Sequence, residues 1–288
     1  MSSVLPSADA PPVDGTAARP TTRFGAVTYL NSKPLIEGLA TEIAPSTLTL
    51  DYPSRLAADL ASGELDVALV PSFSALQGLV RGDSYLISDA CVAARGPVRS
   101  VKLLCRRRPG DVRTLALDEG SRTSATLARL ILRERYGVDP RTQPFGLDSQ
   151  TTECDADAIL MIGDRAMHPP PDAAGFVETH DLGELWKDWT GLPFVFAVWA
   201  TRLRHAGWHI WGPLYDARDR GVAAIDAIAE REAAGVGVTP DDAAHYLRRN
   251  LHFTLGPAER SGLELFAELL AESGLLPSVP SLTFAYER

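Results

Sequence analysis

The segment GPVRSVKLLCR, residues 96–106, marks the point at which the chain passes from one α/β block to another. Before it, short apolar runs alternate with amphipathic helical periods, a pattern typical of strands packed against helices. A second extended segment, LPFVFAVWA at residues 192–200, leads out of the later block. Because the later block is entered once and left once, the pattern predicts an inserted lobe that is joined to the first lobe by a two-strand hinge.

The block before the hinge is predicted to be a β-α-β-α-β unit. Its strands are residues 23–28, 47–52 and 65–71, and its helices are residues 32–40 and 53–63. In the second helix, Leu56 and Leu60 share one face and Gly63 follows the last turn. This order of elements indicates a parallel sheet covered by helices.

The inserted block continues the alternation of strands and helices. It contains predicted strands at residues 114–117 and 157–163, a helix that starts after Ser121, and the segment FVETHDLG at residues 176–183. Beyond residue 200 the pattern is mostly helical. There TPDD (residues 239–242) has the form of a capping box, and one helix carries an apolar stripe of Leu263, Phe266 and Leu270.

These patterns predict a two-lobed α/β protein. We assign residues 23–100 and 197–288 to lobe 1 and residues 101–196 to the inserted lobe 2. A ligand cleft is expected between the lobes, where the carboxyl ends of strands and the amino ends of helices meet.

The composition excludes several classes of protein. The 288 residues are 45% hydrophobic with a net charge of −9, and no basic run exceeds Arg106 to Arg108, so nucleic acid is not expected as a partner. No apolar run is long enough for membrane insertion or for a secretory signal. Cys91, Cys105 and Cys154 are too far apart for a disulfide framework or a CxxC site. Residues 1–22 are predicted to be a flexible tail, and the protein is expected to be cytoplasmic.

The turn before the inserted lobe's helix is unusually rich in hydrogen-bonding groups. Within DEGSRTSATLARLIL (residues 118–132), Ser121, Arg122, Thr123 and Ser124 occupy the first turn. The first N–H groups of a helix lack intrahelical partners and attract anions. Four consecutive polar groups exceed what one cap needs, which favours carboxylate binding, although a capped helix with a surface arginine is the alternative.

Other candidate ligand contacts lie where predicted strands end. Asn31 follows the first strand, and it can orient a hydroxyl or carboxylate without titrating; its alternative role is that of a turn residue. The remaining candidates at such ends are Tyr29, Ser72, Arg99, Ser100, Gly163 and Asp164. His205 and His209 have the i, i+4 spacing of a zinc site but lack a nearby third ligand, so no metal site is predicted.

These motifs together resemble the chorismate dehydratases of the futalosine route to menaquinone. The shared segments, in the same order, are YLNSKPL, GELDVALVPS, GPVRSV, LDEGSRTSATLARLIL, AILMIGDRAM and HDLGELWKDWTGLPFVFAVWA. The resemblance covers about residues 23–270. It implies the fold of type II periplasmic binding proteins, which agrees with the two lobes predicted above.

The resemblance also implies a reaction and a site. These enzymes convert chorismate to 3-[(1-carboxyvinyl)oxy]benzoate and water, with no cofactor. Asn31 matches their catalytically important asparagine, and Ser100 and the turn of residues 121–124 match their substrate-binding segments. Since no cleft motif contains a histidine or an isolated glutamate, we hypothesise that the enolpyruvyl carboxylate of the substrate takes the ring proton.

Two other functions remain open at this stage. A solute-binding protein would use the same cleft only to bind a small carboxylate. The related 1,4-dihydroxy-6-naphthoate synthase would act on a cyclic futalosine derivative. That family has a threonine pair and a histidine around its cleft, a pattern that the turn of residues 121–124 (the SRTS turn) does not match.

Overall fold

The structure is a computed structural model that describes residues 21–170 and 174–285. The predicted flexible tail lies outside the described residues except for residues 21 and 22. Thr22 belongs to the folded chain, because it is buried and its N–H donates to Ser46 Oγ at 2.9 Å.

The chain alternates between strands and helices, as its sequence predicts. In the described residues the strands are β1 (Arg23–Val27), β2 (Thr47–Asp51), β3 (Val67–Pro71), β4 (Tyr85–Ala94), β5 (Val101–Cys105), β6 (Thr114–Asp118), β7 (Arg141–Phe145), β8 (Ala158–Ile162), β9 (Glu178–Asp181), β10 (Phe194–Thr201) and β11 (His252–Thr254). The α-helices there are α1 (Leu39–Glu42), α2 (Pro53–Ser62), α3 (Ser72–Arg81), α4 (Arg122–Tyr136), α5 (Leu182–Thr190), α6 (Trp208–Ala223), α7 (Ile225–Glu232), α8 (Pro240–His245) and α9 (Pro257–Glu272).

Several shorter helical turns complete the described chain. The 3-10 turns are Leu30–Leu35, Pro109–Asp111, Thr151–Glu153, Asp164–Met167 and Ala233–Val236, and a π-helical turn spans Tyr246–Asn250. The turn at Leu30–Leu35 carries Pro34, where the sequence predicts the start of a longer helix.

The strands form two separate sheets. The first has the order β11-β4-β10-β3-β1-β2 and the second the order β7-β6-β8-β5-β9. Strand β1 is parallel to both β2 and β3, which confirms the predicted β-α-β-α-β unit. Strand β10 is antiparallel to β3 and β4, so the chain re-enters the first sheet at its centre. The two-lobed fold with an inserted second lobe is therefore confirmed.

The two crossings between the sheets lie close together. The chain leaves the first sheet after Ala94 and returns at Phe194, which pairs with Ala94. Residues 194–196, assigned from the sequence to lobe 2, therefore lie in the first sheet. The return begins earlier than predicted because the apolar run of β10 is buried over its whole length, from Phe194 to Thr201.

Asp181 holds the outgoing crossing against the start of α5 in lobe 2. Its carboxylate accepts hydrogen bonds from the N–H groups of Val98 and Arg99, at 2.9 and 2.6 Å, and from Gly183 N–H at the start of α5. Arg99 has a φ of 63°, an uncommon conformation for a residue with a side chain. One half-buried carboxylate thus fixes the backbone of the outgoing crossing at Val98 and Arg99.

Local sequence features explain the helix ends that were predicted. Gly63 ends α2 in a left-handed conformation, with φ of 87°. Thr239 caps α8 by accepting from Asp242 N–H, as the TPDD sequence predicts. The stripe of Leu263, Phe266 and Leu270 on α9 is buried.

No helix in the described part of the chain is long and apolar enough to span a membrane.

Candidate active site

A cleft lies between the two lobes, next to the hinge. Its polar and glycine positions are Tyr29, Asn31, Ser100, Ser121, Ser124 and Gly163. Its walls are apolar: Val27, Pro53, Pro71, Val92, Val98, Val101, Ile162, Phe196 and Ala197. The cleft therefore combines a few neutral hydrogen-bonding groups with a surface that suits a carbon ring.

Asn31 reaches the cleft from the 3-10 turn that follows β1. Ser32 fixes this turn, because its buried hydroxyl donates to the carbonyl oxygens of Val27 and, at 2.8 Å, of Tyr29. The Ser32 N–H also donates to Tyr29 O at 3.1 Å. The Asn31 side chain is consequently held at the cleft edge by its own turn, as its position after a strand predicts.

Asp164 does not line the cleft, contrary to the predicted substrate contact. Its two carboxylate oxygens accept the N–H of Leu30 at 3.1 and 3.3 Å. Leu30 begins the turn that carries Asn31, and its cap residue Tyr29 gives no side-chain cap. A carboxylate of lobe 2 thus caps the Asn31 turn of lobe 1.

Burial raises the pKa of Asp164 from an ordinary 3.8 to about 6. The hydrogen bond from Leu30 N–H and the nearby side chains of Lys33 and His168 oppose this rise, whereas Glu232 adds to it. The ionised carboxylate is the better acceptor for Leu30 N–H, because hydrogen bonds to charged groups are the stronger ones.

Tyr29 packs against two glycines of lobe 2 beside the cleft. Its ring lies against the backbone of Gly163, where a Cβ would be 2.7 Å from Tyr29 Cε1 and Cζ. Its hydroxyl lies against Gly120, where a Cβ would be 2.9 Å away. Gly163 has a φ of 73°, so two independent features of this position require glycine. The pKa of Tyr29 is raised, chiefly by burial, so its hydroxyl stays protonated.

The SRTS turn divides into two parts. Ser121 is the N-cap of α4, since its Oγ accepts Ser124 N–H at 3.3 Å, and the Ser124 hydroxyl donates to Ser121 Oγ at 3.2 Å. Both serines line the cleft. Arg122 is exposed and does not line it, because the first turn of α4 points this side chain outward.

Thr123 is also absent from the cleft lining, because its hydroxyl forms a hydrogen bond with a residue of lobe 1. Its Oγ1 accepts the N–H of Phe73 at 2.9 Å, which satisfies a free donor at the start of α3. Ser72, a predicted cap or cleft donor, is instead the first residue of α3 and is fully buried. Its Oγ has no hydrogen-bond partner among the described residues.

Replacing Thr123 should therefore affect stability. Thr123→Val keeps the shape but removes the acceptor of Phe73 N–H, so we expect the free energy of unfolding to fall by about 1–3 kcal/mol. Thr126→Val is the matched control, because its Oγ1 bonds only to the Arg122 carbonyl one helical turn away. Urea unfolding of both variants checks the prediction. Equal losses in the two variants would contradict it.

Ser100 lies in the cleft, whereas Arg99 beside it does not. The Arg99 backbone is turned by its bond to Asp181, and its side chain is absent from the lining. Ser100 is buried, and its Oγ accepts a hydrogen bond from the Tyr246 hydroxyl at 2.7 Å. Tyr246 was not among the site residues predicted from the sequence. It lies in a helical region far along the chain, and no motif marks it.

The chemistry available in the cleft is limited to neutral groups. Within the described chain, no lysine, arginine, carboxylate or imidazole is among the lining residues, and no group of three or more possible metal ligands occurs. An anionic ligand would be held by serine hydroxyls and by the amino end of α4. A proton removed from a ligand in this cleft would need an acceptor on the ligand itself or on water.

The described residues have a two-lobed α/β fold like that of periplasmic binding proteins. The alkanesulfonate-binding protein SsuA of Xanthomonas axonopodis pv. citri, bound to MOPS, has a TM-score of 0.63 at 14% identity, covering 95% of this chain and 100% of that one. The periplasmic aliphatic sulphonate-binding protein SsuA of Escherichia coli has a TM-score of 0.60 at 15% identity, covering 91% and 90%. At these identities the likeness concerns the fold alone.

The chain belongs to the menaquinone biosynthesis family, whose model matches residues 22–272. A chorismate dehydratase of Thermus thermophilus is 36% identical, over 79% of this chain and 86% of the relative. The residues matched by the family model include Tyr246 and every residue that lines the cleft.

Proposed function

We propose that the protein is a chorismate dehydratase, which converts chorismate to 3-[(1-carboxyvinyl)oxy]benzoate and water. One structural observation carries the proposal: Asn31, Ser100, Ser121 and Ser124 meet in a single cleft with apolar walls. Membership of the menaquinone biosynthesis family and the similarity to the Thermus thermophilus enzyme support it.

The substrate carries two carboxylates, and the cleft offers neutral donors for them. Ser121 and Ser124 lie at the amino end of α4, where backbone N–H groups and the helix dipole favour an anion. The apolar walls surround the ring and exclude water, which strengthens the hydrogen bonds made inside. In this proposal, one substrate carboxylate lies at α4 and the ring lies against the wall formed by Phe196 and Val98.

The reaction removes a ring proton and the ring hydroxyl. We propose that the enolpyruvyl carboxylate takes the proton from the ring carbon that bears the ether oxygen. The electron pair of the broken C–H bond completes the aromatic ring as the C–O bond to the hydroxyl breaks. The departing oxygen recovers a proton and leaves as water, so the substrate loses one water molecule in total. Asn31 orients the substrate and the leaving hydroxyl.

An incubation of the purified protein with chorismate separates this function from the alternatives. Formation of the substituted benzoate above the rate without protein supports a dehydratase. Binding of chorismate without product would indicate a solute-binding protein. Turnover of a cyclic futalosine derivative, with chorismate unchanged, would indicate the naphthoate synthase.

The remaining parts of the proposal concern cofactor and location. We expect full activity after exhaustive treatment with a chelator, because the proposed steps use only the substrate and neutral side chains. Activity restored solely by an added metal ion would contradict this mechanism.

We also propose a cytoplasmic location and no nucleic-acid partner, on the basis of the composition and the net charge of −9.

Activity and stability should respond to pH in opposite directions at Asp164. As the pH falls through about 6, the carboxylate gains a proton and its bond to Leu30 N–H weakens, so kcat/KM is expected to fall. The folded chain holds this proton more tightly than the unfolded chain. The contribution of Asp164 to the free energy of unfolding is therefore present below about pH 4 and lost as the pH rises through about 6.

The pH profiles of wild type and Asp164→Asn check this prediction. The amide cannot ionise, so both dependences should be absent from the variant, and its kcat/KM should be low throughout. Urea unfolding and initial rates measured in the same buffers give the two curves. Superimposable profiles of the two proteins near pH 6 would show that Asp164 does not control the turn.

A further inference from the structure

Tyr246 is fully buried behind the cleft, at the start of the π-helical turn that follows α8. Such wide turns are rare and occur frequently at functional sites. The same turn contacts the hinge at its other end, where Asn250 Nδ2 donates to the carbonyl oxygen of Pro97 at 2.8 Å. The turn thus holds the outgoing crossing at two points, Pro97 and Ser100.

The Tyr246 hydroxyl joins two residues that line the cleft, Ser100 and Asn31. It donates to Ser100 Oγ at 2.7 Å, and it also interacts with the Asn31 side chain. Tyr246 does not line the cleft itself. Asn31 lies after β1 and Ser100 lies in the hinge, so this hydroxyl connects groups from separate parts of the chain.

The direction of these bonds has a chemical consequence. Burial raises the pKa of Tyr246, so the hydroxyl keeps its proton and acts as a donor to Ser100. Ser100 Oγ, occupied as an acceptor, is left with its own proton to donate. The Asn31 amide can donate to the Tyr246 oxygen, which leaves its carbonyl oxygen for the ligand.

We propose that Tyr246 is a positioning residue for the dehydration of chorismate. It orients the Ser100 hydroxyl as a donor toward the cleft. It also holds the side-chain amide of Asn31 in one of the two orientations that exchange its oxygen and nitrogen atoms. This inference rests on the proposed function. It assigns Tyr246 no contact with the substrate, so its effect passes through Ser100 and Asn31.

Tyr246→Phe tests the role, because it removes only the hydroxyl. We expect kcat to fall roughly tenfold while KM changes by less than about twofold, since one hydrogen bond is lost and the cleft walls remain. Tyr136→Phe is the control: this tyrosine is the last residue of α4, away from the cleft, and its variant should retain wild-type kcat. Thermal unfolding of both variants establishes that they are folded.

A double-mutant cycle with Ser100→Ala distinguishes positioning from a structural role. If Tyr246 acts through Ser100, Tyr246→Phe should lower kcat by less than about threefold in the Ser100→Ala background. A full tenfold loss in both the Ser100→Ala and the Asn31→Ala background, or a folded Tyr246→Phe enzyme with wild-type kcat, would overturn the inference. Absence of turnover by the wild-type chain would instead overturn the proposed function, and the positioning role with it.

Discussion

Asn31→Ala is expected to lower kcat by about 10²–10³-fold, the usual loss when one oriented polar group that acts in the transition state is removed. Asn31 lies at the cleft edge in a turn fixed by Ser32 and capped by Asp164. Because this turn is held from both lobes, the position of Asn31 is set before the substrate binds. Its loss should therefore affect the chemical step far more than the affinity for chorismate.

Steady-state kinetics and equilibrium binding of chorismate check this first prediction. Thr28→Ala is the matched control, because Thr28 is exposed just before the same turn and is absent from the cleft lining. It should leave both kcat and affinity unchanged. A folded Asn31→Ala protein with nearly normal kcat would remove Asn31 from the mechanism.

Gly163→Ala should lower kcat/KM by about a hundredfold, because it prevents the two lobes from meeting at Tyr29. The added Cβ would lie 2.7 Å from the Tyr29 ring, and the backbone has a φ of 73°. Gly163 has a ψ of −160°, in a backbone region essentially restricted to glycine, so strain of about 1–3 kcal/mol and overpacking of about 1–3 kcal/mol act together on the closed arrangement. A sum of about 2.7 kcal/mol corresponds to a hundredfold loss.

Gly137→Ala is a control for a positive-φ position at which the added methyl group makes no new contact. Gly137 has a φ of 69°, but a Cβ there would meet nothing within 4 Å. This control should show the loss of stability from backbone strain with kcat/KM close to wild type. Kinetics of both variants, with small-angle scattering to detect opening of the lobes, check the prediction. Similar kcat/KM values for the two variants would contradict the role of Gly163 in lobe contact.

Much of the fold follows from local features of the sequence. The β-α-β-α-β unit, the cap at Ser121 and the cap at Thr239 depend on residues close together in the chain. Strand β4 was not predicted, because Ser88 and Asp89 interrupt its apolar residues, so its sequence shows neither regular alternation nor a continuous apolar run. Strand β11 has only three residues, too few for any period to show.

The candidate site was predicted only where one turn determines the position of a side chain. Asn31, Ser121 and Ser124 follow strand ends or begin a helix, and they line the cleft as predicted. Thr123 and Asp164 instead contact the opposite lobe, through bonds to residues 50 and 134 positions away. The sequence pattern carries no information about such pairs, since the partners are brought together only when the lobes meet.

Proton NMR of chorismate mixed with chelator-treated protein is the most direct test of the proposed function. It follows the ring protons of the substrate and the aromatic protons of the product in one sample. We predict that chorismate signals decay at a rate proportional to protein concentration, that signals of 3-[(1-carboxyvinyl)oxy]benzoate replace them in equal amount, and that Asn31→Ala nearly abolishes the conversion. A chorismate spectrum that changes no faster with the wild-type protein than without it would contradict the account.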